Sequence, residues 1–229
     1  MPLFVFDSGL IIFVIPAMLF ALYAQNLVNS TFNTYLKVRS GSRRTGAEVA
    51  RQLLDDADLL HIGVERTPRP MGDHYDPRTQ VVRLSPDVHD GYSVAALGVA
   101  AHETGHALQH ATGYVPLTFR NIIVPTAQIG SQAAFPLLLV GIIFSIPGLV
   151  DFGIILFSVA VVFQIITLPV EFNASTRAVA LLESGQYIEG EEIVQTRRVL
   201  RAAAMTYVAA AAVAVAQLAR LLLLRGRRR

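Results

Sequence analysis

Four apolar runs constrain this chain more than anything else in it. Residues 3–24, 122–146, 149–170 and 202–224 are almost free of charge, and each reaches the roughly 20 residues that a helix needs to cross a bilayer. In lipid the backbone must satisfy its own hydrogen bonds, so runs of this kind are expected to be helices. Composition agrees: 16% of residues are charged and 53% hydrophobic, where a soluble domain averages about 25% charged. The expected fold class is therefore mainly α, with integral membrane helices and a small α+β lobe. Three or four spans are expected, because the alanine-rich run 202–224 reads equally as a span or as a helix packed on the others.

The segmentation follows. Residues 1–26 read as a membrane anchor and 40–120 as a polar, mixed lobe. Residues 121–170 read as two membrane helices joined by a tight turn at Pro147-Gly148, 171–200 as a further helical stretch, and 202–224 as the C-terminal apolar helix. No Lys or Arg precedes the first run, while Lys37, Arg39, Arg43 and Arg44 follow it. That is the reverse of a signal-peptide flank, so a retained anchor with its N-terminus outside is expected. Arg120, Arg177, Arg197, Arg198 and Arg201 then fall on the same side as those four, which the positive-inside rule makes cytoplasmic. The C-terminal arginines dissent, since four full spans place them outside. The expected setting is the plasma (inner) membrane, multi-pass.

Two function classes drop out on composition. Net charge is only +2, and the basic tail simply follows an apolar helix; nucleic-acid binding would call for a basic stripe interleaved with exposed aromatics. The chain has no cysteine, which excludes disulfides, thiolate ligands and a cysteine nucleophile. Any metal must be held by His and carboxylates.

The polar lobe carries its own punctuation. Thr45 before Gly46-Ala47-Glu48 reads as a helix cap, and 80–85 as a short strand after an Asp76-Pro77 turn. Ser93 can cap a helix from Val94 to about His110, with Gly113 just past its end. On that helix Ala101-His102-Glu103-Thr104-Gly105-His106 matches H-E-x-x-H. Positions four apart share a helical face, so both imidazoles reach one zinc and Glu103 points at the fourth coordination position. Zinc would lower the pKa of a water held there, and Glu103 would take its proton as the water attacks a peptide carbonyl. Ala100, Ala101, Gly105 and Ala107 leave room for neighbouring elements.

A catalytic zinc needs a third protein ligand. His110 lies a further turn along the same helix, too far from the metal, and reads as a helix-end or surface histidine. The third His of the extended motif is missing, because Thr112 holds its place. Carboxylates remain. Glu171 stands at the end of an apolar run, where an ionisable group is a functional candidate; the alternative is a solvated helix-end glutamate.

Over nearly its whole length the chain resembles the bacterial YugP-like neutral zinc metallopeptidases of the membrane. The residues that carry this are 45–50 (TGAEVA), 73–77 (DHYDP), 101–109 (AHETGHALQ) and 168–175 (LPVEFNAS). More distantly it is similar to the HtpX and CAAX-prenyl endopeptidase group, in which an E-x-x-A-D pattern on a later helix supplies the third ligand. That resemblance implies Glu171 as the third ligand beside His102 and His106, one zinc per chain, and a zincin-like lobe of the HExxH…E type. The Asp of the pattern is Ser175 here, a hydroxyl that can still support an imidazole N–H without adding charge.

Further expectations attach to this reading. The strand at 81–85 is expected to be the edge strand lining the substrate, to which an extended peptide adds. His74, within Asp73-His74-Tyr75-Asp76, is a second metal site, a transition-state donor, or part of a turn held by Asx-type bonds. Tyr207 and Arg177 are the other oxyanion candidates. The function expected is a zinc-dependent endopeptidase acting at the cytoplasmic membrane face on peptides or membrane proteins, with the bilayer as its other partner. The alternative is a non-catalytic zinc-binding membrane scaffold, against which an intact Glu103 speaks.

Overall fold

The computed structural model describes residues 7–226, so the start of the 3–24 run and the tail arginines Arg227, Arg228 and Arg229 lie outside the described residues. The elements are α1 (Ile15–Tyr35, opened by a π-helical stretch Leu10–Val14), α2 (Gly46–Asp55), β1 (Gly63–Arg66), β2 (His74–Asp76), β3 (Val81–Leu84), α3 (Pro86–His89), α4 (Val94–Ala111), α5 (Val115–Ile143), α6 (Pro147–Ser184) and α7 (Glu191–Gly226). The fold is mainly α with a small α+β lobe, as expected. Four helices, Leu10–Tyr35, Val115–Ile143, Pro147–Ser184 and Glu191–Gly226, are long and apolar enough to cross a membrane.

Local chemistry accounts for the helix ends. At α2 the Glu48 N–H donates to the Thr45 hydroxyl (3.2 Å) while the Thr45 N–H donates to the Glu48 carboxylate (2.8 Å), a complete capping box. At α4 the Ser93 hydroxyl accepts from the Ala96 N–H (3.1 Å), and beyond the far end Gly113 takes a φ of +61°. The turn expected at Pro147-Gly148 lies instead at 144–146, where Ser145 has a φ of +54°. Pro147 opens α6, because its fixed φ and missing N–H suit the first helical position. The division expected between 170 and 171 is absent: α6 carries Pro169 in its interior and runs on through Glu171 to Ser184.

The chain divides into two compact units: one of 7–25, Thr118–Pro169 and 206–226, the other of Asn26–Leu117 and Val170–Met205. In the first unit Val14, Ala17 and Ala216 form one small buried cluster, and Leu138, Val150 and Ile154 another. Large apolar side chains such as Leu22, Ile129, Phe135 and Ile155 stay exposed on it, the surface of a body solvated by lipid. Arg220 pairs with Asp7 (2.8 Å) and Arg225 with Asp151 (2.6 Å).

The second unit has two core clusters, and α4 contributes to both. Ala95, Ala100 and Ala107 pack with Leu54, Val82, Leu84 and Val88, while Leu97 and Ala101 pack with Val49, Leu53, Ala178 and Leu182. The sheet order is β1-β3-β2. β3 pairs in parallel with β1 (Gly63 opposite Val81, Arg66 opposite Leu84) and antiparallel with β2 (His74 opposite Arg83, Asp76 opposite Val81). This corrects the expectation for the strand at 81–85. β3 has both sides taken by neighbours, with Val82 and Leu84 fully buried, so it is the central strand and has no free edge for a peptide.

Candidate metal centre

α4 presents His102 and His106 one turn apart, with imidazole centroids 4.8 Å apart and planes at 85°. Glu171 comes to them from α6, its Oε2 lying 3.3 Å from His102 Nε2 and 3.5 Å from His106 Nε2. The three side chains, all largely or wholly buried, offer ligand atoms within 4.8 Å of one another and can hold a metal ion. A Cβ built on Gly105 would sit 2.9 Å from the Ala174 carbonyl oxygen, so the bare glycine is what lets α4 and α6 approach this closely.

The donor set fits zinc. With metal–ligand bonds of about 2.05 Å, the edge of a tetrahedron is about 3.4 Å, close to the two separations of 3.3 and 3.5 Å from Glu171 Oε2, and the three ligand atoms span no more than 4.8 Å. The Glu171 Oε2 is buried and, apart from its contacts with the two imidazoles, has no hydrogen-bond partner, costly unless a cation faces it. Each imidazole has its other nitrogen engaged: Ser175 Oγ lies 3.2 Å from His102 Nδ1, and Gln109 Oε1 lies 3.0 Å from His106 Nδ1. Burial on its own lowers the His106 pKa, but the adjacent carboxylates of Glu171 and Glu103 outweigh it and raise the pKa above 6.5 in the metal-free protein.

Glu103 is 8% exposed, and its Oε2 accepts a hydrogen bond from the Tyr75 backbone N–H (3.0 Å). Tyr75 is held to α4 a second time through its hydroxyl, 2.9 Å from His110 Nδ1. His110 is thus an exposed residue of the last turn, as expected, but it anchors β2. Sequence reasoning missed both Tyr75 and Gln109. Tyr75 carried the weak signal of an aromatic between polar neighbours, as in a short strand; Gln109 carried only its i+3 spacing from His106.

The three oxyanion candidates are placed as follows. His74 is exposed, with Nδ1 at 2.8 Å from the Gly72 carbonyl. Around it the turn is held by Asp76, which accepts from the Arg78 N–H (2.9 Å) and the Thr79 hydroxyl (2.8 Å). Asp73 accepts from the Ser85 N–H (2.7 Å) and hydroxyl (3.0 Å), and burial raises its pKa against those bonds. Arg177 donates from Nε to Asn173 Oδ1 (2.9 Å) and lies over the Tyr114 ring at 6.0 Å. Tyr207 belongs to the other unit.

A buried two-histidine, one-carboxylate centre beside a glutamate, built from α4 and the long apolar helix α6, defines the class, and the sequence comparison agrees. The chain belongs to the family described as "Putative neutral zinc metallopeptidase", whose family model matches residues 10–226. Within reach of it stands the Bacillus subtilis (strain 168) protein named "Putative membrane protease YugP", 46% identical over 210 residues that cover 92% of this chain and 93% of that one. No solved structure matches.

Proposed function

We propose that this chain is a zinc-dependent membrane endopeptidase with His102, His106 and Glu171 as metal ligands and Glu103 as general base. The observation that carries the reading is the convergence of both Nε2 atoms on the buried Glu171 Oε2. When bound, zinc supplies Lewis acidity toward a peptide carbonyl and lowers the pKa of water in the site. Glu103 removes the proton from the attacking water and hands it to the amine nitrogen of the departing fragment, the acid–base pair of roles one carboxylate can fill in turn. The Tyr75 N–H steadies Glu103 through Oε2. Ser175 orients the His102 ring.

The substrate strand belongs at β2. It is an edge strand of the sheet, and its Tyr75 N–H already faces Glu103 on α4. An extended peptide laid along that edge would run past the base. Substrates N-methylated at successive backbone positions test this: a position-specific loss of cleavage is expected, and uniform cleavage refutes strand addition.

We place the site at the cytoplasmic face of the plasma membrane. Lys37, Arg39, Arg43, Arg44, Arg177, Arg197, Arg198 and Arg201 all belong to the unit that carries it. The opposing weight of Arg220 and Arg225 is reduced by their pairing with Asp7 and Asp151.

The decisive experiment is metal content and peptide cleavage for wild type, Glu103→Gln and Glu171→Ala. Glu103→Gln is expected to keep zinc and lose cleavage, and Glu171→Ala to lose both. Wild type that binds zinc yet cleaves nothing in a broad peptide library refutes the enzyme; full zinc in Glu171→Ala refutes the third ligand.

A further inference from the structure

Gln109 is a long polar side chain with no exposure at all. A buried amide is costly unless its donors and acceptor are met, and here each is. Its Nε2 lies 2.9 Å from the Val170 carbonyl and 2.9 Å from Asn173 Oδ1, and its Oε1 lies 3.0 Å from His106 Nδ1. The partners dictate which way the amide points. A backbone carbonyl can only accept, so the NH2 end must face Val170. Arg177 can only donate, so the Asn173 oxygen faces it, and that same oxygen requires a donor from Gln109.

With the NH2 end fixed twice, the oxygen of Gln109 is left toward His106. A neutral His106 must then carry its proton on Nδ1, which leaves the Nε2 lone pair for a metal ion shared with Glu171. His102 has no such lock, because its partner Ser175 is a hydroxyl that can donate or accept. The two histidines therefore differ in kind: one is fixed by a chain of groups with single roles, the other by a rotor.

We propose that Gln109 is a positioning residue that holds His106 in its metal-binding tautomer and, through Val170 and Asn173, ties that imidazole to the segment of α6 bearing Glu171. The inference rests on the assignment of His106 as a ligand. Gln109 touches neither substrate nor metal; it acts through His106 and through the register of two helices. Outer partners of ligating histidines change metal affinity by about 10- to 100-fold when removed.

The test uses the full-length protein in detergent, Gln109→Met and Gln109→Glu, with zinc affinity measured by chelator competition and the His106 Nδ1 proton followed by NMR in the zinc-loaded state. Gln109→Met, similar in size and without hydrogen bonds, is expected to bind zinc about 10- to 100-fold more weakly and to lose the protected Nδ1 proton. Gln109→Glu keeps an oxygen for His106 but sets carboxylate oxygens against the Val170 carbonyl and Asn173 Oδ1, so it is expected to retain the Nδ1 proton while also binding zinc more weakly than wild type. A role in packing alone predicts that Gln109→Met keeps both the wild-type affinity and the protected proton. Wild-type affinity in Gln109→Met, or a protected Nδ1 proton there as in wild type, overturns the proposal.

If Gln109→Met yields no folded protein, Asn173→Ala removes one of the two groups that hold the amide. A loss of affinity of at least about threefold is then expected, toward the low side of the outer-partner range, and unchanged affinity overturns the proposal. Wild type that binds no zinc overturns both this and the function proposed above. Wild type that binds and cleaves beside an equally competent Gln109→Met overturns this one alone.

Discussion

Gly105→Ala should damage the metal centre without touching a ligand. The added methyl would lie 2.9 Å from the Ala174 carbonyl oxygen and 3.4 Å from its Cα. Ordinary contact begins near 3.4 Å, and the obstacle is backbone, so it cannot swing aside. α4 and α6 would have to part by about 0.5 Å or more at this level, in a core packed as densely as a crystal. His106 follows Gly105 directly, and Glu171 stands one turn before Ala174 on α6. The contacts of 3.3 and 3.5 Å would then open toward about 4 Å, past the tolerance of about 0.2 Å within which a metal keeps its ligands. The fold itself should survive. Replacing a mid-helix glycine by alanine gains up to about 1 kcal/mol, and overpacking costs about 1–3 kcal/mol. A net loss of about 0–3 kcal/mol follows from these two. The expected result is a melting temperature of the metal-free protein lowered by no more than about 10 °C, with zinc affinity reduced at least about tenfold. Chelator competition and thermal unfolding on the same sample separate the two effects. Gly105→Ala that binds zinc within twofold of wild type refutes the argument that helix separation sets the ligand geometry.

Three further outcomes are expected. Ser175→Ala removes the partner of His102 Nδ1 (3.2 Å) and should weaken zinc binding by about tenfold, the low end for outer partners; wild-type affinity would mean that the hydroxyl does not hold the ring. The Arg78 N–H and the Thr79 hydroxyl hold the Asp76 pKa at about 2, below the ordinary 3.8. A depressed folded-state pKa gives stability that is full above the unfolded value and is lost as pH falls toward 2. Acid unfolding followed by circular dichroism should therefore be shallower between about pH 4 and pH 2 in Asp76→Asn than in wild type, and identical acid limbs would count against it. Because the chain has no cysteine, single substitutions report sidedness directly: Glu189→Cys should react with an impermeant maleimide only from the cytoplasmic side and Phe144→Cys only from outside, and the opposite pattern inverts the topology.

What the sequence disclosed was mostly what is local. The Thr45 and Ser93 caps, the motif helix and the apolar helices rest on residues within a few positions of one another, and these expectations match the structure. The sheet was hidden because β1 and β2 are four and three residues long, too short to show alternation, and their pairing with β3 spans a turn and a loop. Reading β3 as an edge failed for that reason: nothing in 81–85 reveals that 63–66 will cover its other side. Pro147 was misleading in a related way. A proline suits the first position of a helix as well as a turn, and here it opens α6. The juxtaposition of Glu171 with the histidines came from resemblance, and Gln109 stayed invisible because spacing along α4 does not say which polar side chain is buried.

The charge inventory of the centre has a consequence of its own. Glu103 and Glu171 are both buried, and among the described residues neither forms a salt bridge with a lysine or arginine. The imidazoles' partners Gln109 and Ser175 carry no charge, so with both carboxylates ionised and both imidazoles neutral, as metal binding requires, the centre would carry two negative charges without a permanent counter-charge. A divalent ion cancels them; a monovalent ion leaves one over, and a trivalent ion overshoots by one. Valence thus joins ligand geometry in selecting what the site retains. The same sum bears on inhibitors: an anionic warhead arriving at the loaded centre makes it net negative unless Glu103 accepts a proton, so compounds that arrive neutral and give up a proton to Glu103 on binding should outperform permanent anions of the same shape.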